Sequence, residues 1–336
     1  MLLVITTNII SSILLLKFYR LLTVILKLFD KPNYRKIHKK PISQFGGFIF
    51  FINIFIFFLL NILDIINFDI NYSYRLVLVG FLSYSLIFLL GYLDDRFDIN
   101  PYIKIFLLLI LIIFTVLADQ NITIFRLTFS FGATVYLGSL SILFTIFCIF
   151  IFLNAFNMFD GINCQASFLI FSITLFLFFK NVNLYLLVPI IISNFFFLFY
   201  NFKNRIYLGN NGSYSISYLL SLLIIFEYND QKINIYADDI VLLLFIPIID
   251  LLRLFILRTF YGKNPFKPDN NHIHHLITKK FSYTNSVLII AALNIFPSII
   301  NFYFHKTTYI LAIILFIYLY ILYFFNGFKL KLSSNR

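Results

Sequence analysis

Ile105-Phe-Leu-Leu-Leu-Ile-Leu-Ile-Ile-Phe114 and Val241-Leu-Leu-Leu-Phe-Ile-Pro-Ile-Ile249 are apolar on every face, whichever period is laid over them. Strands of a membrane β-barrel alternate polar and apolar residues, so these two runs exclude a barrel. Each reads instead as part of a transmembrane helix, which needs about 20 mostly apolar residues. The same texture extends outward along nearly the whole chain. Of 336 residues, 61% are hydrophobic and 12% charged, against about 45–50% and about 25% in an ordinary soluble domain. A soluble fold is excluded. The expected fold is all-α: a polytopic helical membrane bundle forming one domain over residues 1–336. About eleven transmembrane helices are predicted, centred near residues 12, 54, 84, 110, 146, 172, 192, 220, 248, 294 and 317.

The loops carry more information than the helices. Odd-numbered connections, the helix ends beside them and the C-terminal tail hold 19 Lys/Arg and 7 acids. The opposite face holds Arg75, Arg126, Lys180, Lys232 and Lys306, with 7 acids. The positive-inside rule then places the N-terminus outside and the C-terminus in the cytoplasm. The formal charge of +12 describes a surface facing the lipid bilayer. No nucleic-acid partner is expected, because the basic residues form no single stripe. Cys148 and Cys164 make no disulfide framework, and Leu2 to Leu16 lacks the basic start of a cleavable signal. The segment Asn121 to Gly138 alternates Ile122, Ile124, Leu127 and Phe129 and reads as a short hairpin on the outer face. No internal repeat is present, which argues against an inverted-repeat transporter.

Five polar clusters fall on the face counted as cytoplasmic. Asp30-Lys-Pro-Asn-Tyr-Arg-Lys-Ile-His38 could simply grip anionic head groups. Asp94-Asp95, with Asp98 spaced to share a helix face and Lys104 following, sets adjacent carboxylates at an interface. Such a pair calls for a divalent cation or a proton, and Mg²⁺ typically takes few carboxylates plus substrate phosphates. Asn154, Asn157 and Asp160 recur at threes and can line one helical stripe, as chemistry or as glue between helices. Gly209-Asn210-Asn211-Gly212-Ser213 opens a helix, where backbone N–H groups favour an anion or an ordinary cap. Last, Pro247, Asp250, Arg253 and Arg258 lie on a helix ahead of Asp269-Asn-Asn-His272-Ile-His274-His275. Three histidines without a fourth ligand make a poor zinc site.

Together these clusters resemble the polyprenyl-phosphate N-acetylhexosamine-1-phosphate transferases, glycosyltransferases of the family 4 type. The resemblance runs from about Asp30 to His275. It implies transfer of a sugar 1-phosphate from a UDP-sugar to undecaprenyl phosphate, with release of UMP, at the cytoplasmic face of the bacterial inner membrane. O-antigen or a related surface glycan would be the product's destination. It further implies Mg²⁺, with Mn²⁺ as a substitute, and leaves a homodimer open. Carried over by position, Asp94, Asp95 and Asp160 would be catalytic, and Asp94, Asp95 and Asn210 would hold metal. Lys104, Asn154, Asn157, Asn210, Asp269, His272, His274 and His275 would bind substrate. The chain departs from the family pattern at Asn210, where a metal-binding Asp is usual, at Asn163 and Cys164, and at Asn270. Two rivals are a catalytically degenerate homologue that binds lipid carrier or nucleotide, and an intramembrane prenyltransferase suggested by Asp94-Asp95-x-x-Asp98. The prenyltransferase would need a second aspartate-rich motif, and the sequence has none.

Overall fold

The computed structural model describes residues 1–32, 40–63, 65, 74–230, 235–265 and 270–325. Helices dominate: α1 (Leu2–Leu26), α2 (Gly46–Ile62), α3 (Tyr74–Phe97), α4 (Pro101–Ala118), α5 (Ser141–Phe159), α6 (Gln165–Phe179), α7 (Leu184–Phe202) and α8 (Gly209–Asn229). They are followed by α9 (Ala237–Leu243), α10 (Phe245–Phe260), α11 (Ile273–Thr278), α12 (Tyr283–Phe304) and α13 (Thr307–Phe324). All eleven predicted centres fall inside helices. Seven helices are long and apolar enough to cross a membrane, or eight if α9 and α10, bent by 74°, form one span. α2 and α6 are shorter apolar helices. The chain is a multi-pass, all-α membrane protein.

Local chemistry sets the helix ends. Asn100 accepts the Tyr102 N–H ahead of α4, where Pro101 occupies the first turn and gives up no needed donor. Asn183 and Ser282 cap α7 and α12 in the same way. α12 stops at His305, whose φ of 51° is left-handed. Between α4 and α5, β1 (Arg126–Thr128) pairs antiparallel with β2 (Thr134–Tyr136), the hairpin expected from the alternation.

Large apolar side chains such as Phe106, Leu143, Phe195 and Phe316 face outward, as a lipid solvent requires. Polar residues turn inward. Asn53 of α2 donates to Ser12 of α1 and to Ser193 of α7, both at 2.8 Å. Such bonds between helices act as glue where no water competes, each worth about 0.6–2 kcal/mol. α8 is the axis of the bundle, buried on almost every side against α2, α3 and α5. Its hydroxyls Ser215 and Ser217 satisfy themselves on carbonyls four residues back. Glycines bring its start close to its neighbours. A Cβ on Gly47 would sit 1.9 Å from Asn211 Oδ1, and one on Gly91 2.5 Å from the Asn210 carbonyl oxygen.

At the other end of the bundle, Asp239 accepts from Lys180 at 3.0 Å, Asn301 at 2.8 Å and Thr307 at 3.0 Å, joining α6, α9, α12 and α13. Asp238 accepts the Ser130 N–H at 2.9 Å and pins the hairpin there.

Candidate active site

The end of α3, the start of α4, the end of α5 and the start of α8 meet at one end of the bundle. Two chain segments, 40–45 and 203–208, close around them. Tyr207 donates its N–H to the Ser43 carbonyl at 2.7 Å, while the first N–H groups of α2 go to the carbonyls of Tyr207 and Leu208. The start of α2 is thus capped by the backbone that leads into α8.

The two adjacent aspartates do different things. Asp95 accepts the backbone N–H groups of Asn210 and Asn211, each at 2.9 Å, the Asn211 side-chain amide, and Gln44 Nε2 at 3.3 Å. A carboxylate has about four acceptor positions, so Asp95 is fully engaged. It lies at the positive end of the α8 dipole and caps that helix from across the bundle. Asp94 is buried, accepts the Ile99 N–H at 3.0 Å and pairs with Lys104 Nζ at 2.8 Å. Lys104 also lies 5.7 Å from the centre of the Tyr214 ring. Asp98 does not share the helix face expected for it: it lies beyond α3 with φ of 51°, its N–H folded back to the Asp94 carbonyl.

The stripe on α5 divides similarly. Asn157 bridges to α8, donating to Tyr214 Oη at 3.0 Å and accepting from Ser213 Oγ at 2.6 Å. Asn154 donates to Phe150 in its own helix. Asp160 ends α5 as its C-cap, out of the helical stripe. Its half-buried carboxyl makes no side-chain hydrogen bond among the described residues. Burial, then the charges of Asp95 and Asp30, push its pKa up to about 7.

The histidine segment folds over this end. His274 packs on the Asp160-Gly161 corner so tightly that a Cβ on Gly161 would lie 2.0 Å from its Nε2. Burial and the neighbouring imidazoles of His275 and His272 keep its pKa well below 6.5. The rings of His272 and His274 are parallel, 5.4 Å apart, and His275 lies 4.3 Å from His274. His272 Nδ1 meets Asp250 Oδ2 at 2.9 Å. Asp269 lies outside the described residues, as does most of the basic loop before His38.

The departures from the family pattern have local work. Asn163 donates its side-chain amide to the Asn201 carbonyl at 2.8 Å and to Asn204 at 2.6 Å. Cys164 opens α6 with φ of 66°, and burial raises its thiol pKa to about 11. Asn270 is exposed, its carbonyl 3.4 Å from Lys279 Nζ.

The donor set fits a hard cation that is completed by substrate phosphates. The Asp160 carboxyl and the side chain of Asn210 are oxygen donors here that make no hydrogen bond among the described residues, as is Asn211 Oδ1. Asp95 could join such an ion only by releasing one of its four donors, and Asp94 only by loosening Lys104. Among the described residues, no three His, Cys, Asp or Glu side chains form a ready-made metal cluster.

Comparison with known proteins returns the family that the motifs resemble. The sequence profile of glycosyl transferase family 4 matches residues 77–227, the stretch that carries Asp94, Asp95, Lys104, Asn154, Asn157, Asp160 and Asn210. The chain is 29% identical to an undecaprenyl-phosphate alpha-N-acetylglucosaminyl 1-phosphate transferase of Yersinia pestis, over 75% of this chain and 70% of that protein. The same-named protein of Escherichia coli O157:H7 is 27% identical over 96% of this chain and 90% of its own. That of Thermotoga maritima is 28% identical over 79% and 78%. With the helical bundle, the convergent polar end and these relatives together, the chain is similar to glycosyl transferase family 4 over residues 77–227.

Proposed function

We propose that this protein transfers an N-acetylhexosamine 1-phosphate from a UDP-sugar to undecaprenyl phosphate, releasing UMP, as the first step of a surface glycan such as O-antigen. The observation that carries this reading is the meeting of Asp95, Lys104, Asn157, Asp160 and the histidine segment around the start of α8. An oxygen of the lipid phosphate attacks the sugar-bearing phosphorus, and the bridging oxygen leaves with UMP. Attacker, transferred group and leaving group are all anionic, so fixed positive charge and hydrogen-bond donors lower the barrier. Because the acceptor is already ionised, no strong base is needed. Lys104, held by Asp94, supplies charge; Asn157 and the histidines supply hydrogen-bonding groups. Mg²⁺, held by Asp160 and the Asn210 side chain, would neutralise phosphate charge when bound.

In this reading the polar end faces the cytoplasm of the bacterial inner membrane, with eleven spans, the N-terminus outside and the C-terminus inside. The charge asymmetry of the loops supports it. The test is radiolabel transfer from a panel of UDP-sugars into undecaprenyl phosphate, with and without Mg²⁺ or Mn²⁺. Magnesium-dependent labelling from a UDP-N-acetylhexosamine is expected. No transfer from any UDP-sugar would overturn the proposal in favour of a binding homologue.

A further inference from the structure

Asp250 stands outside the match to the family profile and is 2% exposed. Five donors surround its carboxylate. Oδ1 accepts Arg253 Nη2 at 2.7 Å, Arg253 Nε at 3.2 Å and Tyr318 Oη at 3.1 Å. Oδ2 meets His272 Nδ1 at 2.9 Å, and the Ile273 N–H lies 3.2 Å from the same oxygen. Arg253 reaches on to the Asn271 carbonyl at 2.7 Å and to Tyr318 Oη at 3.0 Å. α10, α13 and the turn into α11 are therefore all bound to one carboxylate.

A carboxylate only accepts, so the partnered histidine nitrogen must carry a proton. That fixes the tautomer of His272: Nδ1–H faces Asp250, and Nε2 is the nitrogen left for anything outside the protein. Asp250, accepting the Ile273 N–H, and Arg253, donating to the Asn271 carbonyl, grip the backbone on either side of the ring, and His274 lies parallel to it. Ring position and tautomer are thus both set by α10, in a histidine that sits beside the Asp160-Gly161 corner through His274. The charge of Asp250 is offset by Arg253, which makes its burial tolerable.

We propose that Asp250 is a positioning residue: acting through His272, it presents Nε2 as a hydrogen-bond acceptor to a hydroxyl of the nucleotide sugar and never touches substrate itself. This rests on the transferase reading above. Replacing Asp250 by Asn supplies an amide N–H where Nδ1–H now points, which favours the opposite tautomer. Loss of such an orienting partner typically costs about 10- to 100-fold.

The test uses the full chain in lipid nanodiscs with ¹⁵N-labelled histidine. The wild type should show His272 as the Nδ1–H tautomer, with its Nε2 resonance moved by UDP. Asp250→Asn should convert His272 to the Nε2–H tautomer and lower kcat by about 10- to 100-fold, with a much smaller change in KM for the lipid phosphate. Asp250→Glu, which keeps the carboxylate, should retain Nδ1–H and recover part of kcat. In a His272→Ala background, Asp250→Asn should have little further effect on kcat. If Asp250→Asn does not fold, Asp250→Glu and the wild-type tautomer decide. Wild-type His272 found as Nε2–H, or kcat unchanged in folded Asp250→Asn, would overturn the inference. A wild type that transfers no sugar overturns the transferase reading alone, since the tautomer and the UDP-induced shift are read without turnover.

Discussion

Asp94→Asn and Asp95→Asn should part company although the residues are neighbours. In Asp95→Asn the new amide replaces one of two oxygens that share four donors. Whichever way it turns, two hydrogen bonds are lost and an N–H is set against N–H groups at the start of α8. An unsatisfied buried donor costs about 1–3 kcal/mol, so two put the loss at about 2–6 kcal/mol. On a scale of about 2–4 °C per kcal/mol, that lowers the unfolding midpoint by roughly 4–24 °C. Asp94→Asn keeps one accepting oxygen and leaves Lys104 partly exposed, its side chain at 19%, so water can take up part of the lost pairing. A midpoint drop of about 2–4 °C follows from roughly 1 kcal/mol. Both variants should lose sugar-phosphate transfer, one from a weakened bundle and one from an intact one. Melting followed by size-exclusion in detergent, beside the transfer assay, separates them. Equal shifts for the two variants, or Asp95→Asn melting like wild type, would refute the capping role.

Gly161→Ala should abolish transfer, because its Cβ would displace the His274 ring from 2.0 Å; normal turnover would show that the histidine segment need not pack there. Asn210→Asp adds a charge at the start of α8, beside Asp95, and should lower the Mg²⁺ concentration that gives half-maximal rate, read from a metal titration. Asp160, with its pKa raised from 3.8 to about 7, holds more protons folded than unfolded between those values. Its contribution to stability is therefore present below pH 4 and fades as pH rises through 7. The metal-free unfolding midpoint should fall across that window, and Asp160→Asn should flatten the slope. Lys203→Cys should resist an impermeant thiol reagent on intact cells while Lys306→Cys reacts; the reverse pattern would invert the proposed topology.

Helix positions were legible because an apolar run declares itself whatever packs around it, and the hairpin at Arg126–Tyr136 because its alternation is local. The break at Leu244 was not, since the apolar run through Val241 to Ile249 continues across it. Motif spacing brought Asp95, Asn157 and Asn210 to one site, yet it could not divide Asp94 from Asp95: that depends on where α8 begins in space. Asp98 misled because helical spacing assumes the helix continues, and the chain turns left-handed there. Asp250 and Arg253 were visible as an i,i+3 pair, but their hold on His272 lies 22 residues downstream and has no sequence signature.

The carboxylate that caps α8 is made 115 residues before the first backbone N–H of that helix it will hold. At a synthesis rate of about 5–20 residues per second, that is an interval of roughly 6–23 s. Through it, Asp95 has only Gln44 of its four donors already made. Sealing this end of the bundle is thus a late event in biogenesis, and a nascent chain stalled before residue 209 should leave Asp95 uncapped, an acid that quality-control proteases can read.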